Sequence, residues 1–65
     1  MSERISIRAA RLIAGKTQIE AAKELKISKN TLIKWEQGAR YPRLDQFFQL
    51  CRFYGVSPGD IILPQ

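Results

Sequence analysis

The chain has 65 residues, 45% of them apolar or aromatic, and eleven Lys and Arg against six Asp and Glu leave a net charge of +5. That length implies one domain, 1–65, which buries only about 60% of the surface its unfolded chain exposes and is marginally stable. No apolar run reaches the roughly 18 residues of a membrane span, Met1-Ser2-Glu3-Arg4 is no signal peptide, and one cysteine with no histidine provides neither a disulfide nor the usual zinc ligands nor a His-assisted nucleophile.

Apolar positions recur with helical spacing, and glycine punctuates them at Gly15, Gly38 and Gly55, where a left-handed residue ends a helix. A first helix is predicted from about Ser2 to Ala14, with Ile7, Ala10 and Ala14 on one face and Arg4, Arg8 and Arg11 on a second stripe. Thr17 and Glu20 form a T-x-x-E capping box that opens a second helix running to Leu25. After three residues Ser28 caps a third helix. Ile27 and Leu32 can meet there as a hydrophobic staple. Leu32 and Trp35 then face inward, while Asn30, Ile33, Lys34 and Gln37, at i, i+3, i+4 and i+7, form the outer stripe.

Tyr41-Pro42 interrupts the chain, because the residue before proline avoids helix. A fourth helix carries Leu44, Phe47, Phe48, Cys51 and Tyr54 at helical spacing. Ser57-Pro58-Gly59-Asp60 predicts a short fifth helix with a Ser cap, Pro at its first position and an acid at its third. Ile61, Ile62 and Leu63 follow as an apolar tail closed by Pro64. Cys51 lies on the apolar face, a small buried hydrophobe with no basic neighbour to activate it.

Two short helices, about 17–37, joined by a tight turn make a helix-turn-helix. The segment T-Q-x-E-A-A-x-x-L-x-I-S-x-x-T-L-x-x-W-E-x-G (residues 17–38) carries residue types at fixed offsets that make the resemblance specific. It resembles the Cro/CI-type helix-turn-helix domains of the XRE family, and L-x-x-F-F-x-L-C-x-x-Y-G-V-S-x-x-D-I (44–61) is similar to the family's C-terminal helices, about 44–63. The likeness spans about Ile7 to Ile62. It implies an all-α, compact five-helix bundle of the lambda-repressor type, and the short form is similar to phage and prophage regulators. Two departures stand out. Lys26 occupies a turn position where the family usually has glycine, and Lys16 replaces a commonly apolar residue and is free to reach a phosphate.

The resemblance also implies roles. Ser28, Lys29, Asn30, Ile33 and Lys34 match positions that read base edges in the major groove: Asn suits adenine, Lys suits guanine, and Ile33 suits a thymine methyl. Lys16, Thr17, Gln18, Thr31, Arg40 and Arg43 match positions that touch phosphates, with Gln18 at the N-terminus of the second helix, where free N–H groups favour anions. Arg11 and Glu36 are expected to pair as a structural salt bridge. Lys26, Lys29, Lys34, Arg40 and Arg43 thereby set five positive charges within 18 residues against Glu36 alone.

Phe48, Phe53, Ile61, Ile62 and Leu63 offer more apolar surface than one helix face buries, and relatives pair through their last helix. A homodimer through Phe53, Ile61, Ile62 and Leu63 is therefore expected, on a near-palindromic operator in double-stranded DNA with half-sites about 34 Å apart. The resulting expectation is a cytoplasmic, sequence-specific transcriptional regulator, a repressor, with no cofactor, metal, membrane contact or small-molecule ligand. An enzyme is not expected, since Glu20, Glu24, Glu36, Asp45 and Asp60 are scattered or structurally accounted for. The competing reading is a protein-interaction module, an antitoxin or an anti-repressor target, that uses the apolar C-terminal surface.

Overall fold

The computed structural model describes residues 3–63. Among these, four α-helices and one 3₁₀ turn succeed one another: α1 (Ile7–Ile13), α2 (Gln18–Leu25), α3 (Lys29–Gln37), α4 (Leu44–Tyr54) and the turn Pro58–Asp60. Each of the first three starts at a hydroxyl that satisfies an otherwise unpaired N–H. Ser6 Oγ accepts from Ala9 N at 3.0 Å, Thr17 Oγ1 from Glu20 N at 3.0 Å, and Ser28 Oγ from Thr31 N at 3.0 Å. Glu20 returns the bond by accepting Thr17 N at 2.9 Å, and these contacts with Thr17 hold its carboxyl below the usual range.

All four helices end alike. An N–H three residues past α1, and two past each of the others, reaches back to a carbonyl five residues earlier: Lys16 to Arg11, Ile27 to Ala22, Ala39 to Lys34 and Val56 to Cys51, at 2.9–3.1 Å. This closure needs a left-handed residue between. Glycine supplies it at three ends and Lys26 at the fourth, with φ +57° and ψ +44°. The turn between α2 and α3 is therefore made with lysine where the family usually has glycine.

The core draws on every helix: Ile7 and Ala10, Ala21 and Leu25, Leu32 and Trp35, Leu50, Cys51 and Tyr54, closed by Ile61. α2 lies against both α3 and α4, and α1 against α3. Ala21 and Ala22 let the α2 backbone approach its neighbours closely, and both are buried. Ile27 packs on the core edge beside fully buried Leu32.

Three expectations require correction. The first helix starts at Ile7, not near Ser2; its true cap is Ser6, and Ile5 before it is extended (Met1 and Ser2 lie outside the described residues). Ile5 instead forms a parallel bridge with Ile61: its N–H donates to Asp60 O at 2.8 Å, and its carbonyl accepts Ile62 N at 2.9 Å. The bundle has four helices, not five. Gly59 is a poor helix former and Ile61 is extended to meet Ile5, so Ser57–Asp60 makes one 3₁₀ turn only. Finally, the buried face of α4 is Leu50, Cys51 and Tyr54 with Phe47 at its edge, whereas Leu44 and Phe48 remain 68% and 46% exposed. The other end of the tail, Pro64, lies outside the described residues.

A Cβ in the left-handed region costs roughly 1 kcal/mol or more, while glycine loses about 0.4–1 kcal/mol through the freer unfolded chain. Lys26→Gly is thus expected to raise stability by about 0.5 kcal/mol, and Lys26→Val, β-branched at positive φ, to lower it by more than 1 kcal/mol on the same scale. Thermal melts of the two variants check this; a Val variant as stable as the parent would exclude strain at Lys26.

Candidate functional site

α3 turns Leu32 and Trp35 into the core and leaves Lys29, Asn30, Lys34 and Gln37 exposed, with Ile33 and Thr31 half-buried between them. The outer stripe thus carries two ammonium groups, two amides able to donate and accept, and one apolar group. At its start Ser28 Oγ and Thr31 Oγ1 are hydrogen-bonded to each other at 2.9 Å while Ser28 Oγ accepts from Thr31 N. Both hydroxyls are thereby fixed at the helix N-terminus, where the dipole favours an anion.

The loop after α3 folds back on the same helix, with Ala39 N and Arg40 N both donating to Lys34 O at 2.9 and 3.3 Å. Arg40 and Arg43 are exposed beyond it. Arg43 begins α4 without a side-chain acceptor of its own; its N–H donates to Gln46 Oε1 at 2.9 Å. Its guanidinium Nε lies 3.4 Å from Asp45 Oδ1, a partner that sequence reasoning did not assign. Both side chains are about two-thirds exposed or more, so the pair is screened by water, contributes at most about 1 kcal/mol, and opens readily to a competing anion.

Three segments meet at Arg11. Its Nε donates to Glu36 Oε2 at 2.8 Å and its Nη2 to Glu36 Oε1 at 3.3 Å, a bidentate pair from the middle of α1 to the end of α3. Nη1 donates to Lys16 O at 3.0 Å, tying down the chain that enters α2. Gln18, the first residue of α2, adds a bond from Nε2 to Glu36 Oε1 at 3.2 Å. The side chains of Arg11 and Glu36 are only 8% and 4% exposed. The bonds to Glu36 raise the guanidinium above its already high ordinary value, against the opposing effect of burial.

Tyr54 lies close enough to this pair to feel both charges. Its hydroxyl is buried and has no hydrogen-bond partner among the described residues, and burial, then the Glu36 charge, push its pKa up to about 12, offset in part by Arg11. Cys51 is buried too, and burial, with the Asp60 charge, pushes its thiol above the ordinary value.

Not every expected residue joins this surface. Lys16 Nζ stands 5.2 Å from the centroid of the Phe53 ring, on the side of α2 that faces α4, within cation–π range. Gln18, two residues on, turns to α3 instead. The C-terminal apolar residues divide as well. Ile61 is buried within the monomer by its bridge to Ile5, Phe53 and Leu63 pack partly on the core, and Ile62 is about half exposed. Ile61 thus offers little surface of its own to a second copy. Among the described residues no group of acids and cysteines could hold a metal ion, and no helix is long and apolar enough to cross a membrane.

Removing one member of a buried, hydrogen-bonded ion pair strands the other charge, at a cost of about 3 kcal/mol or more, whereas replacing both by apolar groups is often neutral. Arg11→Met and Glu36→Leu should each melt far below the parent, and the double variant should recover most of the loss; additive losses would show that the pair is not coupled. Tyr54→Phe deletes only an unpartnered hydroxyl and should leave stability within about 0.5 kcal/mol of the parent, or raise it. Equilibrium unfolding measures both.

The helix-turn-helix family model HTH_3 matches residues 7–61. Over 47 residues the chain is 38% identical to an uncharacterized HTH-type transcriptional regulator of Methanocaldococcus jannaschii, covering 72% of this chain and 71% of that protein. No solved structure matches it. The match begins at the first residue of α1 and ends at the residue that closes the core, so it takes in all four helices; the chain belongs to the XRE-type helix-turn-helix family.

Proposed function

We propose that this chain is a sequence-specific, double-stranded-DNA-binding transcriptional regulator that reads the major groove with α3. The observation that carries the reading is the outer stripe of α3. Lys29, Asn30, Lys34 and Gln37 stand exposed on one side of a helix whose only acid, Glu36, is turned inward and neutralised by Arg11. In this reading Ser28, Lys29, Asn30, Ile33 and Lys34 meet base edges. Thr17, Gln18, Thr31, Arg40 and Arg43 hold phosphates on either side and fix the register. Lys16, engaged with Phe53, would have to leave that ring to join them.

Size argues for two copies. α3 has nine residues, about 13 Å at 1.5 Å per residue, which covers roughly four base pairs at 3.4 Å each. Four base pairs, at about 1–3 kcal/mol each, distinguish too few sites. A homodimer on a near-palindromic operator doubles the reading. It would form through the exposed C-terminal apolar residues, Ile62 with Phe48 and the outer parts of Phe53 and Leu63. Such a dimer over a promoter represses by occupancy alone, so repression is the proposed outcome.

Selection of sites from random duplex DNA tests the whole reading, and should return one motif with two-fold symmetry and half-sites one helical turn apart. Capture of a single stoichiometric protein, with no DNA motif selected, would replace it by an interaction-module role. On the selected operator Lys34→Ala should cost about 1–3 kcal/mol and change base preference at one position. Arg43→Ala should weaken all sequences equally and reduce the salt dependence by about one phosphate contact. A uniform loss for Lys34→Ala would remove it from the base-reading set. A solution mass of one chain at micromolar concentration, without DNA, would count against the free dimer.

A further inference from the structure

We propose that Glu36 is a positioning residue for Gln18: its carboxylate holds the Gln18 side-chain amide with an N–H presented to a DNA phosphate, and Arg11 supplies the counter-charge that lets an acid stand there. The inference rests on the phosphate role proposed above for Gln18. A glutamine amide can face a phosphate with either end, and only the nitrogen end can bind it. An ionised carboxylate is acceptor-only, so it selects that nitrogen. Gln18 Nε2 lies 3.2 Å from Glu36 Oε1, and one of its two N–H groups is used there. The second diverges from the first and has no acceptor among the described residues.

The carboxylate itself would repel a phosphate. Arg11 removes that objection, because Nε and Nη2 engage both carboxylate oxygens at 2.8 and 3.3 Å. Glu36 thereby acts as an aligned acceptor with little net field. It also sits in the last turn of α3 while Gln18 opens α2, so the phosphate contact and the base-reading helix are fixed to each other through one carboxylate. A surface glutamine without this partner would have to be ordered at the moment of binding.

The experiment uses the selected operator with single neutral methylphosphonates placed at each phosphate in turn. One substitution should weaken the parent about tenfold and leave Gln18→Ala unaffected, in keeping with loss of one charge-assisted hydrogen bond. If none does, and Gln18→Ala binds unmodified operator as the parent does, the phosphate role of Gln18 falls and this proposal with it. Where the phosphate is found, Gln18→Ala should cost about tenfold in the parent but under about twofold in the Arg11→Met/Glu36→Leu background. Equal losses in both backgrounds overturn the positioning role and leave the phosphate role standing. NMR of the unaltered free protein decides independently of how that double variant folds. The Gln18 side-chain amide should be as ordered as rigid backbone, with S² of about 0.85, and a value below about 0.6 overturns the proposal.

Discussion

The fold turns on one buried ion pair. A guanidinium and a carboxylate that are each less than a tenth exposed are costly to remove from water, and they persist because almost every donor and acceptor around them is used. Arg11 donates to Glu36 twice and to Lys16 O once, and Glu36 accepts Gln18 as well. The result is a single knot joining α1, the entry to α2 and the exit from α3. Apolar packing alone leaves helices free to slide by fractions of a turn, whereas a bidentate pair fixes direction and distance. In a bundle this small the pair sets where the outer face of α3 points.

A second constraint comes from the backbone. Four helix ends close by the same reverse hydrogen bond around a left-handed residue, so chain direction changes abruptly and loops stay short. That economy matters in 65 residues, where each disordered loop residue would add entropy cost without adding core. The bridge between Ile5 and Ile61 does similar work at the other side. It brings the extended segment before α1 to the segment after the 3₁₀ turn, where Ile61 joins the common core.

Much of this was legible in the residues. The T-x-x-E box, the Ser28 cap and the inward pair Leu32 and Trp35 are local signals, and local hydrogen bonding and periodicity decide them. What failed depended on contacts distant in sequence. Ile5 reads as helix until Ile61, 56 positions later, offers it a bridge partner. The fifth helix fails at the same bridge: Ser57, Pro58 and Asp60 mark a beginning, but Ile61 is extended to meet Ile5 and leaves only one turn. On α4 Leu50 was overlooked because Phe47 and Phe48 dominate the apolar count, yet position 50 rather than 48 points at α2 and the core. Lys16, which the resemblance assigns to a phosphate, instead meets Phe53, a contact that depends on how α4 lies against α2.

The net charge takes on a different meaning once it is placed. Glu36 is the one acid between residues 26 and 43, and formally it reduces a group of five cations. Buried against Arg11, it no longer does so at the surface, and the neutralising cation comes from α1, outside that group. Lys29, Lys34, Arg40 and Arg43 stay exposed on α3 and the loop after it, and Asp45 meets Arg43 only in a water-screened contact. On the proposed function this division has a purpose. Charges meant for phosphates stay solvated and weakly paired, so an incoming anion meets little competition. The charge that orients the reading helix is sealed inside, where salt and phosphate do not reach it. The net charge thus rests on solvated cations that serve affinity, while a neutral buried pair, Arg11 with Glu36, serves geometry.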